Sequence, residues 1–198
     1  AEYPAYVYWG MGSGKTIGGC VCMRALRAPA TALVLCDKST VEQWMDEVHR
    51  VCFASTGREY EGIRVRVEHF ETLDHADAPK PKQYDMVIVD EAHRFRNAWR
   101  KNLARMLGWI ARIQECPRVV YMSGTPIVHD ADEMDSFLRL MQATSVEQVR
   151  GRVSYYDPRA KSTVRQYASL DDRVVECAMS WAQTFEYLLH RRQSFAIH

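Results

Sequence analysis

A glycine-rich segment near the start of the chain limits the possible folds more than any other feature. Residues 10–16 read GMGSGKT and lie between an apolar run at 5–9 and a run with helical character at 17–27. Glycines let the backbone curl so that successive N–H groups point at one anion, and the positive end of the following helix adds to that field. The segment therefore predicts a strand, a phosphate-binding loop and a helix within an α/β fold.

The motif predicts chemical roles for two side chains of this loop. We expect Lys15 to contact the β- and γ-phosphates of a nucleotide and the Thr16 hydroxyl to ligate Mg²⁺. The first motif position, which is usually glycine, holds Trp9, so the loop entrance departs from the pattern. A glycine-rich turn that binds nothing is the alternative interpretation. The predicted nucleotide contacts are Gly10, Met11, Gly12, Ser13, Gly14, Lys15 and Thr16.

Two further segments supply the context that the loop needs. Residues 84–93 read as an apolar strand that ends in DEAH, and residues 119–126 read as a strand followed by SGTP. Asp90 is suited to hold Mg²⁺, directly or through water, and Glu91 is suited to orient and activate an attacking water. The alternative is a buried strand that ends in a solvated acidic turn.

In order and spacing, GMGSGKT, DEAH and SGTP resemble motifs I, II and III of the superfamily 2 helicase and translocase motor core. The resemblance implies a three-layer RecA-like P-loop NTPase lobe of the α/β class, with a mainly parallel central sheet. It implies ATP and Mg²⁺ as cofactors, with Lys15, Asp90 and Glu91 as catalytic residues. It also implies that four residues couple the nucleotide site to motif III: His93, Ser123, Gly124 and Thr125.

Residues 31–52 resemble motif Ia of the Swi/Snf-like branch, because an apolar strand and a short turn precede a helix that carries Trp44 and Glu47. In that branch the turn contacts the phosphates of the tracked strand. The resemblance implies nucleic-acid contacts by Lys38, Ser39 and Thr40. Plain capping of the helix by Ser39 is the alternative, and Lys38 could be simply solvated.

The stretch from SGTP through residues 149–156 resembles helicase-like proteins of large DNA viruses, of the poxvirus nucleoside triphosphatase I type. The basic and aromatic residues at 149–156 could touch nucleic acid or pack on the lobe, and packing is favoured. We expect residues 1–145 to form the ATP-binding lobe and residues 146–198 to form an extension and bridge, with a strand at 173–179 and a helix at 181–192. The second lobe of the family is expected to be missing, so the isolated chain should be poorly active.

Periodicity outlines the remaining elements. Apolar runs predict strands near 5–9, 32–36, 63–67, 86–89 and 119–122. Helical spacing predicts helices at 17–27, 41–52, 98–113 and 127–142.

Composition sets the broad class of protein. The formal net charge of +1 indicates no general nucleic-acid surface, although a local basic face remains compatible with it. None of the six cysteines forms a C-x-x-C pair, so we expect reduced thiols rather than a zinc site. No long apolar run is present, and we expect an intracellular protein of the cytoplasm or nucleus, virion-associated if viral.

These observations leave two functions from different classes. The first is a nucleic-acid-dependent ATPase that couples ATP hydrolysis to translocation on DNA or to its unwinding, in viral transcription or remodelling. The second is a nucleotide-dependent switch or scaffold that binds ATP and partners without translocating. Glu91 favours hydrolysis, and the Swi/Snf-like spacing favours duplex DNA. The sequence does not distinguish DNA from RNA, or helicase from duplex translocase.

Overall fold

A six-stranded sheet forms the centre of the chain in a computed structural model, which describes residues 3–10, 12–53, 62–125 and 131–156. The strand order is β3-β2-β4-β5-β1-β6, and every pairing is parallel. A parallel sheet needs a crossover between successive strands, and the segments between them provide it. The strands are β1 Ala5–Trp9, β2 Ala30–Cys36, β3 Ile63–His69, β4 Met86–Val89, β5 Val119–Ser123 and β6 Val153–Tyr156.

The burial of each strand follows its place in the sheet. All four residues of β4 and six of the seven in β2 are buried hydrophobic residues, as continuous apolar runs predict for central strands. The edge strand β3 instead alternates, and its Arg64 and Arg66 are exposed. The five strands predicted from apolar runs are all present, within a few residues of their expected ends.

In the described part of the chain, five α-helices and several shorter helical turns connect the strands. The α-helices are α1 Lys15–Arg24, α2 Val41–Val48, α3 Ala104–Ile113, α4 Ala131–Leu140 and α5 Val146–Val149. The 3₁₀ turns are Lys38–Thr40, Phe70–Asp74, Pro81–Gln83 and Ala92–Asn97, and α2 continues as a π-helical turn at His49–Phe53.

Two hydrophobic clusters fill opposite faces of the sheet. One contains Met23 of α1 and Trp44 of α2, and the other contains Trp109 of α3 and Phe137 of α4. The three-layer α/β arrangement with a parallel sheet is therefore confirmed. No helix among the described residues combines the length and apolarity needed to cross a membrane.

The third helix begins later than its periodicity predicts. The sequence predicted a helix from residue 98, but α3 starts at Ala104. Asn102 adopts a left-handed conformation with φ of 47°, which interrupts helical geometry and which asparagine tolerates better than most residues. The segment before it instead forms the 3₁₀ turn Ala92–Asn97, which begins within the DEAH sequence.

Three arginines of the segment at 98–113 make specific contacts within the chain. Arg105 donates to Asp74 at 2.7 Å, and Arg112 donates to the carbonyl of Leu73. Nε of Arg100 lies 3.5 Å from Oδ2 of Asp132. These contacts hold α3 and the adjacent turns against neighbouring segments. The three arginines therefore have partners within the chain and do not require nucleic acid to explain them.

The stretch at 149–156 packs on the lobe, as favoured from sequence. Its strand β6 pairs with β1, and the ring of Tyr155 meets that of Tyr8 edge-on with centroids 5.0 Å apart. The sheet thus continues past residue 145. The predicted strand at 173–179, the predicted helix at 181–192 and most of the predicted bridge lie outside the described residues, so the domain boundary stays a prediction.

Candidate nucleotide site

The strand order brings the three motif turns together at one edge of the sheet. In the parallel sheet, the segments that follow strands lie at the carboxyl edge, where α/β proteins bind ligands. Residues 10–16 follow β1, residues 90–93 follow β4, and Ser123 ends β5, which lies between those two strands. Residues 37–40 follow β2, which is the next strand beyond β4. The four segments singled out in the sequence therefore share this edge.

The glycine-rich loop has the backbone that an anion cradle requires. Gly12 and Gly14 have φ values of 69° and 82°, in the left-handed region that glycine adopts most readily. The hydroxyl of Ser13 donates to the carbonyl of Gly10 at 2.6 Å and closes the loop. Helix α1 begins at Lys15, immediately after Gly14, so its free N–H groups point toward the loop. Met11 lies outside the described residues.

Lys15 folds back onto its own loop. Its Nζ donates to the carbonyl of Trp9 at 3.1 Å and to that of Gly10 at 3.2 Å. Both bonds are to main-chain oxygens at the loop entrance, so the ammonium group is held within the cradle. A phosphate entering the loop would compete with these carbonyls for the charge.

Trp9 explains the unusual loop entrance that the sequence left open. It ends β1, and its Nε1 donates to the hydroxyl of Ser154 in β6 at 3.0 Å. A Cβ atom on Gly18 would lie 2.7 Å from the Trp9 ring, so the ring packs directly on the α1 backbone. This packing of Trp9 on α1 was not predicted from the sequence. The available signal was the Gly18-Gly19 pair inside a helix, where glycine is unfavourable unless packing needs it.

Asp90 is almost fully buried, with 7% of its surface exposed. Its Oδ2 accepts a hydrogen bond of 2.8 Å from Nε1 of Trp44, and its Oδ1 accepts one of 2.9 Å from the backbone N–H of Glu91. Burial raises the pKa of this carboxyl, while the Trp44 bond and the charge of Lys15 oppose the rise. Two donors and a nearby cation thus fix the orientation of the carboxylate.

Glu91 is placed differently from Asp90, although it is the next residue. Its side chain is 34% exposed, and its Oε2 lies 2.9 Å from Nδ1 of His93. The hydrogen bond from His93 holds the pKa of Glu91 below its ordinary value, against the smaller effect of burial. Glu91 is therefore ionised at neutral pH and reachable from solvent, as a water-orienting group must be.

His93 connects this carboxylate to the end of β5. The same Nδ1 atom lies 3.2 Å from the hydroxyl oxygen of Ser123, which is fully buried. That oxygen also accepts a hydrogen bond of 3.0 Å from the backbone N–H of Thr125. Gly124 is half-buried and Thr125 is exposed. The structure thus brings the predicted coupling residues together, while their role in coupling stays a prediction.

The donor set fits a magnesium ion that is held together with a nucleotide. Thr16 offers a hydroxyl at the start of α1, and Asp90 offers a carboxylate at the same sheet edge. In the part of the chain that the structure describes, no group of three or more His, Cys, Asp or Glu side chains forms a self-sufficient metal site. Such a sparse set suits Mg²⁺, which binds through one or two protein oxygens plus substrate phosphates and water.

The turn after β2 presents polar groups to solvent. Lys38 and Ser39 are exposed, whereas Thr40 donates its hydroxyl to the carbonyl of Asp37 at 2.9 Å. Thr40 occupies the N-cap position of α2, and no side chain caps that helix. Capping by Ser39, the alternative considered from sequence, is therefore not observed. Ser39 is exposed, so a ligand could reach its hydroxyl.

Comparisons with known proteins agree with this architecture. The sequence model of one family, described as the res subunit of type III restriction enzymes, matches residues 2–128. No curated protein sequence matches the chain significantly. Two solved structures share the fold at low sequence identity, which agrees with the predicted RecA-like α/β lobe. None of these comparisons bears on the resemblance to poxvirus nucleoside triphosphatases.

The first structure is the Sulfolobus solfataricus SWI2/SNF2 ATPase core in complex with dsDNA, with a TM-score of 0.51 and 18% identity. The match covers 75% of this chain and 34% of that chain. The second is a hypothetical ATP-dependent RNA helicase from Sulfolobus tokodaii, with a TM-score of 0.50 and 12% identity over 78% of this chain and 48% of that chain. This chain thus spans about a third of one and about half of the other.

Proposed function

The chain belongs to the family of the res subunit of type III restriction enzymes, and on that premise we propose that it is the ATP-binding lobe of a nucleic-acid-dependent ATPase. One observation supports this proposal above the others. Strand order puts the loop at 10–16 and the carboxylates of Asp90 and Glu91 on either side of Ser123, at one sheet edge. Phosphate binding, metal binding and water activation are thereby combined in a single site.

Binding of the triphosphate falls to the loop and to Lys15. The backbone N–H groups that Gly12 and Gly14 expose would surround the phosphates, and the start of α1 adds its positive field. Lys15 would exchange its two carbonyl partners for phosphate oxygens. That exchange gives the ammonium group an anionic partner in place of neutral ones, which favours binding.

Thr16 and Asp90 would hold the magnesium ion, which neutralises charge on the phosphates when it is bound. The bond from Trp44 and the bond from the Glu91 N–H leave each oxygen of Asp90 with free lone-pair capacity. Asp90 could therefore act on the ion directly or through a water. Either way, the carboxylate needs no reorganisation because its orientation is already fixed.

Glu91 would accept a hydrogen bond from the attacking water and orient it toward the γ-phosphorus. Its lowered pKa keeps it ionised, and its exposed fraction leaves room for that water. The Nδ1 atom of His93 contacts both the Glu91 carboxylate and the Ser123 hydroxyl. A change at the β5 turn would therefore reach Glu91 through one imidazole ring, which is how we propose that hydrolysis is coupled to motif III.

The narrower function that we propose is translocation on duplex DNA, or its unwinding, powered by this ATPase. Exposed Lys38 and Ser39 lie at the same sheet edge as the nucleotide site, and one of the two structural relatives was solved with dsDNA. The other relative is described as an RNA helicase, so RNA is the competing substrate. A role in viral transcription or remodelling rests on the sequence resemblance alone.

Two substitutions in the full-length protein test the chemistry. Lys15→Ala should abolish ATP binding, because the phosphates lose their fixed cation. Glu91→Gln should bind ATP normally and lose turnover by about 10²-fold or more, because the water loses its orienting base. Glu115→Gln is the matched control, since this exposed glutamate precedes β5 at the amino edge of the sheet and makes the same charge change. The measurements are ATP affinity and steady-state hydrolysis, with and without DNA or RNA.

The results separate the two function classes. Turnover by Glu91→Gln at the rate of the unmodified protein would contradict the assignment of this residue. Tight ATP binding by the unmodified protein, without hydrolysis in the presence of either nucleic acid, would favour a nucleotide-dependent switch or scaffold instead. Stimulation of ATP hydrolysis by RNA but not by DNA would support the ATPase assignment and indicate RNA, rather than DNA, as the nucleic-acid partner.

A further inference from the structure

Arg94 connects three turns at the carboxyl edge of the sheet. Its guanidinium forms an ion pair with Asp37 and lies 3.5 Å from a carboxylate oxygen of Glu71. Its Cζ lies 4.9 Å from the ring centroid of Phe70. The side chain is 27% exposed, so the arginine is partly embedded between these groups rather than extended into water.

The partners of Arg94 come from adjacent strands in the order β3-β2-β4. Asp37 opens the turn after β2, Glu71 lies in the turn after β3, and Arg94 itself lies in the 3₁₀ turn after β4. The backbone N–H of Arg94 donates to the carbonyl of Glu91 at 3.0 Å. The Arg94 side chain therefore connects the turn that carries the candidate catalytic carboxylate to the turns after β2 and β3.

Asp37 is also the residue that organises the exposed turn. Its carbonyl accepts one hydrogen bond of 2.9 Å from the backbone N–H of Thr40 and another of 2.9 Å from the Thr40 hydroxyl. Its carboxylate is held by Arg94 at the same time. A ligand that displaces the turn at 38–40 must therefore move Asp37, and with it the guanidinium.

We propose that Arg94 is a positioning residue that links the turn at 37–40 to Glu91, so that a nucleic-acid phosphate bound at Lys38 and Ser39 sets the orientation of the water-activating carboxylate. The inference rests on the proposed function, because it assigns the means by which nucleic acid regulates that same ATP site. Arginine suits the role, since its planar group offers several donors and stacks on an aromatic ring, whereas lysine offers a single point charge.

Two substitutions break the same link with opposite electrostatic effects. Arg94→Gln removes a positive charge near the phosphate path and should weaken DNA binding, while Asp37→Ala removes a negative charge and should strengthen it. Both should nevertheless lower the ratio of DNA-stimulated to unstimulated turnover by about 5-fold or more at saturating DNA. Arg94→Lys, which keeps the charge but not the double contact, should give an intermediate ratio.

The experiment uses the full-length protein, a labelled DNA duplex and two readouts. Nucleotide-free DNA affinity is measured by fluorescence anisotropy, and turnover is measured with and without saturating duplex. Arg105→Gln is the matched control, because Arg105 also pairs with an exposed carboxylate, that of Asp74, but does not contact the turn at 37–40. Its ratio should equal that of the unmodified protein.

Several results would overturn the proposal. Unchanged ratios for both variants would show that the link carries no coupling. A loss for Arg94→Gln alone would mean that the arginine only neutralises charge, and equal losses with and without DNA would mean that it only supports the fold. An unmodified protein that hydrolyses ATP without any stimulation by nucleic acid would remove the proposed nucleic-acid dependence together with this inference, and that outcome is recognisable before any variant is made.

Discussion

The indole Nε1 of Trp44 donates a buried hydrogen bond of 2.8 Å to Oδ2 of Asp90. The bond joins α2, which follows the exposed turn at 37–40, to the carboxylate proposed to act on magnesium. Burial raises the pKa of Asp90 because desolvation disfavours its charged form. The Trp44 bond offsets part of that cost, so the tryptophan both stabilises the lobe and fixes a candidate catalytic group.

Trp44→Phe should therefore destabilise the protein more than an equivalent change elsewhere. It removes a donor from a buried carboxylate, and hydrogen bonds to charged groups contribute about 1.5–3 kcal/mol. Trp109→Phe is the matched control, because the Trp109 indole donates at 2.8 Å to the more exposed Asp74, which water can solvate instead. The measurement is the free energy of unfolding in urea. Equal losses for the two variants would contradict a special role for the bond to Asp90.

Two glycine substitutions should shift stability in opposite directions. A Cβ atom on Gly19 would lie 2.7 Å from the Trp44 ring, and that ring cannot retreat without lengthening its bond to Asp90. We expect Gly19→Ala to destabilise by about 1 kcal/mol or more, because overpacking of about 1–3 kcal/mol exceeds the gain of about 1 kcal/mol in helix propensity.

Gly108→Ala is the counterpart on α3. Nothing lies within 4 Å of a Cβ atom there, so only the helix-propensity term applies and the variant should be more stable by up to about 1 kcal/mol. Both changes are compared by thermal and urea unfolding. A stabilised Gly19→Ala protein would show that Trp44 is free to move.

Residues that interact locally were predictable from the sequence, whereas contacts across the sheet were not. The apolar run at 86–89 and the glycines of the loop act through burial and backbone freedom, and both properties belong to the residue types themselves. The Arg94–Asp37 pair joins residues far apart in the chain, and only strand order brings them together. Trp9 was treated as a departure from a motif for the same reason, because its partner Ser154 is 145 positions away.

The stability contribution of Glu91 should depend on pH. The hydrogen bond from His93 holds its pKa below the ordinary value of 4.5. A carboxyl group with a lowered folded-state pKa stabilises the fold above its unfolded pKa, and this contribution is lost as the pH falls through the folded value. We expect Glu91→Gln to melt at a lower temperature than the unmodified protein at pH 7, with the difference shrinking below pH 4.5.

Melting curves in metal-free and nucleotide-free buffer test this dependence, because either ligand would add its own linkage. Glu115→Gln supplies the comparison, since that glutamate is exposed and distant from His93. A melting difference for Glu91→Gln that stays constant from pH 7 to acid would show that the contact with His93 does not stabilise the carboxylate.

The exposed turn after β2 should reveal separate contributions from its three polar side chains. Lys38→Gln should reduce the slope of log affinity for DNA against log salt by about 1, because a cation releases one counterion on binding. Ser39→Ala should weaken binding at every salt concentration without changing that slope, since a hydroxyl releases none. Thr40→Val should lower the melting temperature as well, because its hydroxyl bonds to the carbonyl of Asp37. Lys80→Gln, on the exposed loop before β4, should change neither quantity; an equal change in slope for it and for Lys38→Gln would place the nucleic acid elsewhere.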